Sequence, residues 1–160
     1  KLFFVGTGNY THKSISQYAR EAGISDTVIE IRQRFPFLHI QNFLSKARGV
    51  LIIGSTEKHY TASKTFQAIL SGRPVFSVFH AESSALKIMH ECRADQYSAA
   101  YDEEQSQTDP FNSIKSKFLA FAEQKGNWQP DYSALDKYSA KESTRKLVDA
   151  VEKTNRQNAN

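Results

Sequence analysis

The sequence predicts an α/β fold of three layers, with helices over both faces of a mostly parallel sheet. Short apolar runs alternate five times with segments of helical spacing, the pattern of a parallel sheet joined by right-handed crossovers. Runs such as "LFFV" and "VLII" are apolar at every position, as expected for strands buried on both faces. Glycine or a polar loop stands at most of the switches between the two patterns.

Leu2 to Val5 is the first strand, broken by "GTGNYT". Ser14 to Ala22 carries Ile15, Tyr18, Ala19 and Ala22 at helical spacing, and Gly23 terminates it. "TVIEIR" (27–32) alternates and reads as the second strand; Pro36 then precedes a helix from about Leu38 to Ala47. "VLII" (50–53) is a third buried strand ended by Gly54, and the helix over 62–71 has Phe66, Ile69 and Leu70 on one side before Gly72. "PVFSVF" (74–79) is the fourth strand, followed by a helix over 82–92, and "DQYSAAY" is a short fifth strand. The polar "YDEEQSQTDP" leads to helices over 111–123 and 141–153, joined by "NWQPDYSALDKYS", to which the pattern assigns no element.

At 160 residues the chain reads as a single domain, residues 1–160. No apolar run approaches the roughly 20 residues that cross a bilayer. "KLFFVGTGN" is too short and too quickly polar for a signal peptide. Because it begins directly on an apolar strand, the chain is expected to be a piece of a longer protein. The single cysteine, Cys92, leaves no internal disulfide and fits a reducing, cytoplasmic compartment. The net charge of +4 is spread along helix faces, and no nucleic-acid-binding module is recognisable.

Ligands of such sheets sit beyond the carboxyl ends of the strands, which directs attention to the loops over 6–11, 32–37, 54–62 and 80–84. Gly6 and Gly8 follow the first strand, where an absent Cβ lets backbone N–H groups approach a phosphate; a plain tight turn explains them equally well. Thr11 stands where a dinucleotide fingerprint has its third glycine, while Glu30 holds the place of a ribose-binding acid. In "GSTEKHYTASK", Ser55, Thr56, Thr61 and Ser63 can cap the following helix, and their hydroxyls with its N–H groups can bind an anion. Lys64 adds a positive charge in the first turn, where the helix dipole disfavours it unless an anion is present; pointing to water is the simpler alternative. Gln67, on a similar face, offers an amide able to bond ribose hydroxyls. His59, His80 and His90 with Cys92 lack the spacing of a zinc site, so no metal is expected.

The run "LSKARGVLIIGSTEKHYTASKTFQAILSGRPVFSVF" resembles the donor-binding half of two-domain glycosyltransferases of the GT-B fold, family 4 and its relatives. The resemblance rests on Ser45–Ala47, Ser63–Lys64, Phe66 and "SGRPV", with "VGTG" and "YSAKESTRKLVDAVEK" matching the family's first loop and closing helix. It implies a Rossmann-like C-terminal domain that binds a nucleotide-diphosphate sugar as substrate, without cofactor or metal. By position, Gly6, Gly8 and Asn9 approach the diphosphate, Arg32 and Arg34 frame the base, and Tyr60, Thr61, Ser63 and Lys64 meet phosphate or sugar. The family's two acids, eight positions apart, fall on His59 and Gln67. The resemblance further implies a partner, an N-terminal acceptor-binding domain of the same protein, and little transfer by this part alone. Its compartment is cytoplasmic, compatible with a peripheral place at the inner face of the membrane. No nucleic-acid partner and no membrane span are expected. The competing readings are an NAD(P)-binding oxidoreductase domain, a sugar-nucleotide epimerase of the same architecture, and a non-enzymatic module whose site has decayed.

Overall fold

The computed structural model describes residues 1–8, 13–54, 63–102 and 110–158. The chain is α/β with parallel strands, and it divides into two compact units, Lys1–Phe43 and Leu44–Asn160.

The first unit holds β1 (Leu2–Val5), α1 (Ile15–Glu21), β2 (Val28–Ile31) and most of α2 (Phe37–Lys46). β1 and β2 pair in parallel, Leu2 opposite Val28 and Val5 opposite Ile31. Ser14 caps α1: its hydroxyl accepts from the Gln17 N–H, while the Gln17 side chain accepts from the Ser14 N–H. Gly23, at φ +69°, turns the chain out of α1. Pro36 opens α2, its carbonyl accepting from the His39 and Ile40 N–H groups, and Phe35 sits edge-on to Phe43 with ring centres 5.7 Å apart. Phe3 is 62% exposed, so β1 is not buried on both faces; an unbroken apolar run specifies a strand without specifying how many of its faces are covered.

The second unit is built around β4 (Val75–His80), flanked in parallel by β3 (Val50–Ile53) and β5 (Tyr97–Tyr101). Successive β4 side chains alternate between two cores. On one face Val75 and Phe79 pack with Val50 and Ile52 of β3, and with α3 (Lys64–Leu70) through Ala68 and Ile69. The same core takes Ala85, Leu86, Ile88 and Met89 from α4 (Ser84–Glu91). On the other face Phe76 packs with Tyr97 and with Phe121 of α5 (Pro110–Glu123). This unit therefore has helices on both faces of its sheet. Ile53 and half-buried Leu51 show that β3, like β1, is covered incompletely.

The "SGRPV" turn has a structural task. Gly72 takes φ +71°, the Ser71 hydroxyl accepts from the Arg73 N–H at 3.2 Å, and Arg73 Nε donates to the Ser45 carbonyl at 2.7 Å. The Pro74 carbonyl then accepts the Val50 N–H at 2.9 Å, which sets the register of β3 on β4. The segment to which the sequence pattern assigned no element contains a 3₁₀ helix, Tyr132–Tyr138, capped by Asp131, before α6 (Ala140–Asn158). Trp128 reaches both cores and donates from Nε1 to the Ala94 carbonyl at 3.3 Å.

Because Phe79 is fully buried between β3 and α4, Phe79→Ala should cost about 3–5 kcal/mol of unfolding free energy, read from urea denaturation. Leu70→Ala, on the exposed side of α3, should change it by less than about 1 kcal/mol.

Candidate functional site

In the first unit the carboxyl ends of β1 and β2 are held side by side. The Gly6 N–H donates to the Ile31 carbonyl at 2.8 Å and the Gly8 N–H to the Arg32 carbonyl at 3.1 Å, so pairing continues past both strands. Gly6 and Gly8 have φ of +77° and +67°, a left-handed backbone that side chains disfavour. Among the described residues, and apart from the chain neighbours, no atom lies within 4 Å of where a Cβ would stand at either position. Arg32 and Arg34 are exposed beyond β2, and Arg32 adjoins the glycine turn through its backbone. Of the residues singled out from the sequence, this unit thus brings Gly6, Gly8 and Arg32 together; Asn9 lies outside the described residues.

Glu30 has a different role from the one its position in the sequence invites. Its carboxylate accepts from the Thr7 hydroxyl at 2.9 Å, the Ser16 N–H at 3.0 Å and the Ser16 hydroxyl at 2.9 Å. The negative charge that the start of α1 favours is the chain's own. Led by the Ser16 N–H, these donors hold the Glu30 carboxyl below its usual range. Glu30 clamps the glycine turn and α1 onto β2, and both its oxygens are occupied in doing so.

In the second unit, β3 ends at Gly54, whose N–H donates to the Val78 carbonyl at 2.8 Å. Ser63, one of four residues able to cap α3, precedes it in a helical conformation, and its hydroxyl makes no capping bond. A capping side chain needs an extended backbone to reach the N–H groups of the first turn, and Ser63 lacks one. Lys64 is exposed, Gln67 is half-buried one turn later, and Thr65 between them is fully buried. His59, Tyr60 and Thr61 lie outside the described residues, as do Ser55 and Thr56.

The structure adds polar groups that spacing did not single out. Among the described residues, Thr65 Oγ1 is buried without a hydrogen-bond partner. His80, the last residue of β4, is 1% exposed; its Nδ1 accepts from the Glu82 N–H at 3.1 Å and Nε2 has no partner. Its ring stands edge-on to Tyr101, centres 5.6 Å apart. The available signal for His80 was its place directly after the apolar run "VFSVF", at the carboxyl end of a parallel strand.

Beside this strand end, Ser83 caps α4, accepting from the Leu86 N–H at 3.2 Å, and an open cleft of ≈ 620 Å³ runs past Ser83, Lys87, His90 and Glu91. His90 contacts Asp95 at 2.7 Å. Glu91 accepts from Lys137 and from the Tyr138 hydroxyl, both at 2.6 Å. The Lys137 bond holds the Glu91 carboxyl below its usual range and raises the lysine, while burial raises the Tyr138 hydroxyl. Burial likewise raises the Cys92 thiol, so it is a poor thiolate nucleophile. Among the described residues no group of three or more His, Cys, Asp and Glu side chains is placed to hold a metal ion.

The Glu30 clamp has a pH signature. With the folded carboxyl below its unfolded value, the clamp stabilises the fold fully above the unfolded pKa of about 4.3 and loses its effect as pH falls through the folded value. Glu30→Gln should therefore lower the thermal midpoint at pH 7, and the gap from the parent protein should close as both are titrated below about pH 4. A gap that stays constant with pH would mean that the charge of Glu30 does not matter.

Compared with protein-family models, with curated proteins and with solved structures, the chain gives no match.

Proposed function

We propose that the chain is the donor-binding half of a glycosyltransferase: a Rossmann-like α/β/α domain of GT-B type that binds a nucleotide-diphosphate sugar. In this reading a second, acceptor-binding domain completes the enzyme, and the reaction takes place in the cytoplasm. The observation that carries the proposal is the glycine turn at the carboxyl end of β1, left-handed at both glycines, with no described atom where a Cβ would stand and joined to Arg32 through the backbone. Phosphate oxygens can approach such a backbone closely because no Cβ intervenes. Arg32, whose carbonyl bonds the Gly8 N–H, brings a permanent cation to the same strand end.

In the second unit the proposal assigns ligand contacts to Lys64 and Gln67, at the start of the helix that follows β3. Lys64 is exposed there, in the first turn, where the helix dipole makes a cation costly in the absence of an anion. Gln67 contributes an uncharged amide for ribose hydroxyls. Transfer of a sugar from such a donor depends on stabilising the departing diphosphate and on positioning the acceptor. These residues serve the first task.

The engagement of both Glu30 oxygens inside the chain weighs against a dinucleotide-binding domain, which needs that acid for the ribose. Arg34, exposed like Arg32 and two residues beyond it, is assigned with Arg32 to frame the nucleotide base.

Titration calorimetry with UDP, GDP and their sugars should show binding of one nucleotide class. Lys64→Ala should weaken that binding by about tenfold or more, the loss of one charged hydrogen bond. In thermal-shift measurements the preferred nucleotide should protect the fold while NADH does not. Binding of none of these nucleotides would refute the proposal; protection by NADH alone would replace it with the dinucleotide reading.

A further inference from the structure

The helix that carries Lys64 and Gln67 has little to hold it by itself. α3 has seven residues and Ser63 makes no capping bond, and a helix that short is not stable alone in water. Its place is set by what packs on it. Thr65, Ala68 and Ile69 are its buried stripe. At about 100° per residue, Lys64 and Phe66 flank that stripe on opposite sides. The Phe66 ring meets the Tyr138 ring, with centres 5.2 Å apart. Tyr138 ends the 3₁₀ helix and is itself anchored: its hydroxyl donates to Glu91 of α4 at 2.6 Å. Lys137 Nζ bonds the same carboxylate at 2.6 Å and stands 5.1 Å from the centre of the Tyr138 ring. At the other end of the 3₁₀ helix the Asp131 N–H donates to the Cys92 carbonyl at 2.7 Å, so both ends are tied to the last turn of α4.

We propose that Tyr138 is a positioning residue for the nucleotide site: anchored to α4 through Glu91, its ring holds Phe66 and so fixes the rotation of α3 that aims Lys64 and Gln67. The inference rests on the nucleotide reading of those two residues. A rigid frame stands behind the contact, because Ala85, Leu86, Ile88 and Met89 bury α4 in the core. Tyr138 meets α3 on the side away from Lys64, so it shapes the site without touching the ligand. Its two parts have separate tasks. The hydroxyl anchors the 3₁₀ helix to Glu91, and the ring passes that anchorage to Phe66. A charged side chain turned by a fraction of a helical turn loses the alignment its hydrogen bond to a phosphate needs.

Amide hydrogen exchange of the full chain tests the anchorage without any nucleotide. Tyr138→Ala should speed exchange by about threefold to tenfold at the amides of Gln67 to Leu70, while those of β4 stay near the parent rate. Titration calorimetry then reads the site, with whichever of UDP and GDP the parent chain binds. Tyr138→Ala should raise the Kd about threefold to fivefold, and Lys64→Ala should cost less in that background than in the parent chain. Tyr138→Phe keeps the ring and loses the anchor; it should fall between the two in both measurements and serves should Tyr138→Ala fail to fold. Unchanged exchange in α3, or exchange in β4 faster by the same factor, would overturn the inference. So would a parent chain that binds nucleotide while the Tyr138 variants bind it equally well, or strict additivity of the Lys64 and Tyr138 substitutions. A parent chain that binds neither nucleotide refutes the nucleotide reading first, and the positioning role with it.

Discussion

The second unit depends on the burial of β4 on both faces. Val75 and Phe79 face one core and Phe76 the other, and each core draws in helices from elsewhere in the chain. A strand covered on both sides must satisfy its backbone through its neighbours, and β3 and β5 do so in parallel along its length. Parallel pairing requires crossover connections, so α3 and α4 follow from the same constraint.

The polar groups of the chain divide into two kinds. Some are satisfied within the chain: Glu30 by Thr7 and Ser16, Ser77 by Ser98, Glu91 by Lys137 and Tyr138. Others have no such partner among the described residues, Thr65 Oγ1 and His80 Nε2 among them. A buried group that pairs stabilises its surroundings, whereas one left unpaired costs free energy, about 1–3 kcal/mol for a neutral donor or acceptor. The glycine turn belongs to the first kind: its amides at Gly6 and Gly8 complete the strand ladder, bonded to the Ile31 and Arg32 carbonyls.

Much of the element order was legible because the two hydrophobic periods are distinct. Val75 to Phe79 is too short and too continuously apolar for an amphipathic helix, and Leu86, Met89 and their neighbours have helical spacing. Gly23 and Gly72 marked helix ends because only a left-handed residue turns the chain there at low cost. The 3₁₀ helix over Tyr132–Tyr138 was not legible, since it is held by the Asp131 cap and by Ala134 and Leu135 against a distant core rather than by a local period. Phe3 and Ile53 misled for the related reason that apolar character states a preference for burial and does not supply the neighbour that buries it.

The candidate site shows the same division at the level of single residues. Local chemistry alone determined that the chain is α/β, that strands alternate with helices, and that Gly6 and Gly8 follow a strand, because period and backbone freedom are properties of neighbours in sequence. Tertiary structure decided that Glu30 is spent as a clamp, that Ser63 does not cap, and that Arg32 adjoins the glycine turn. Each of those outcomes depends on a distance between residues far apart in the chain or on a backbone angle set by packing, and neither is encoded in a local pattern.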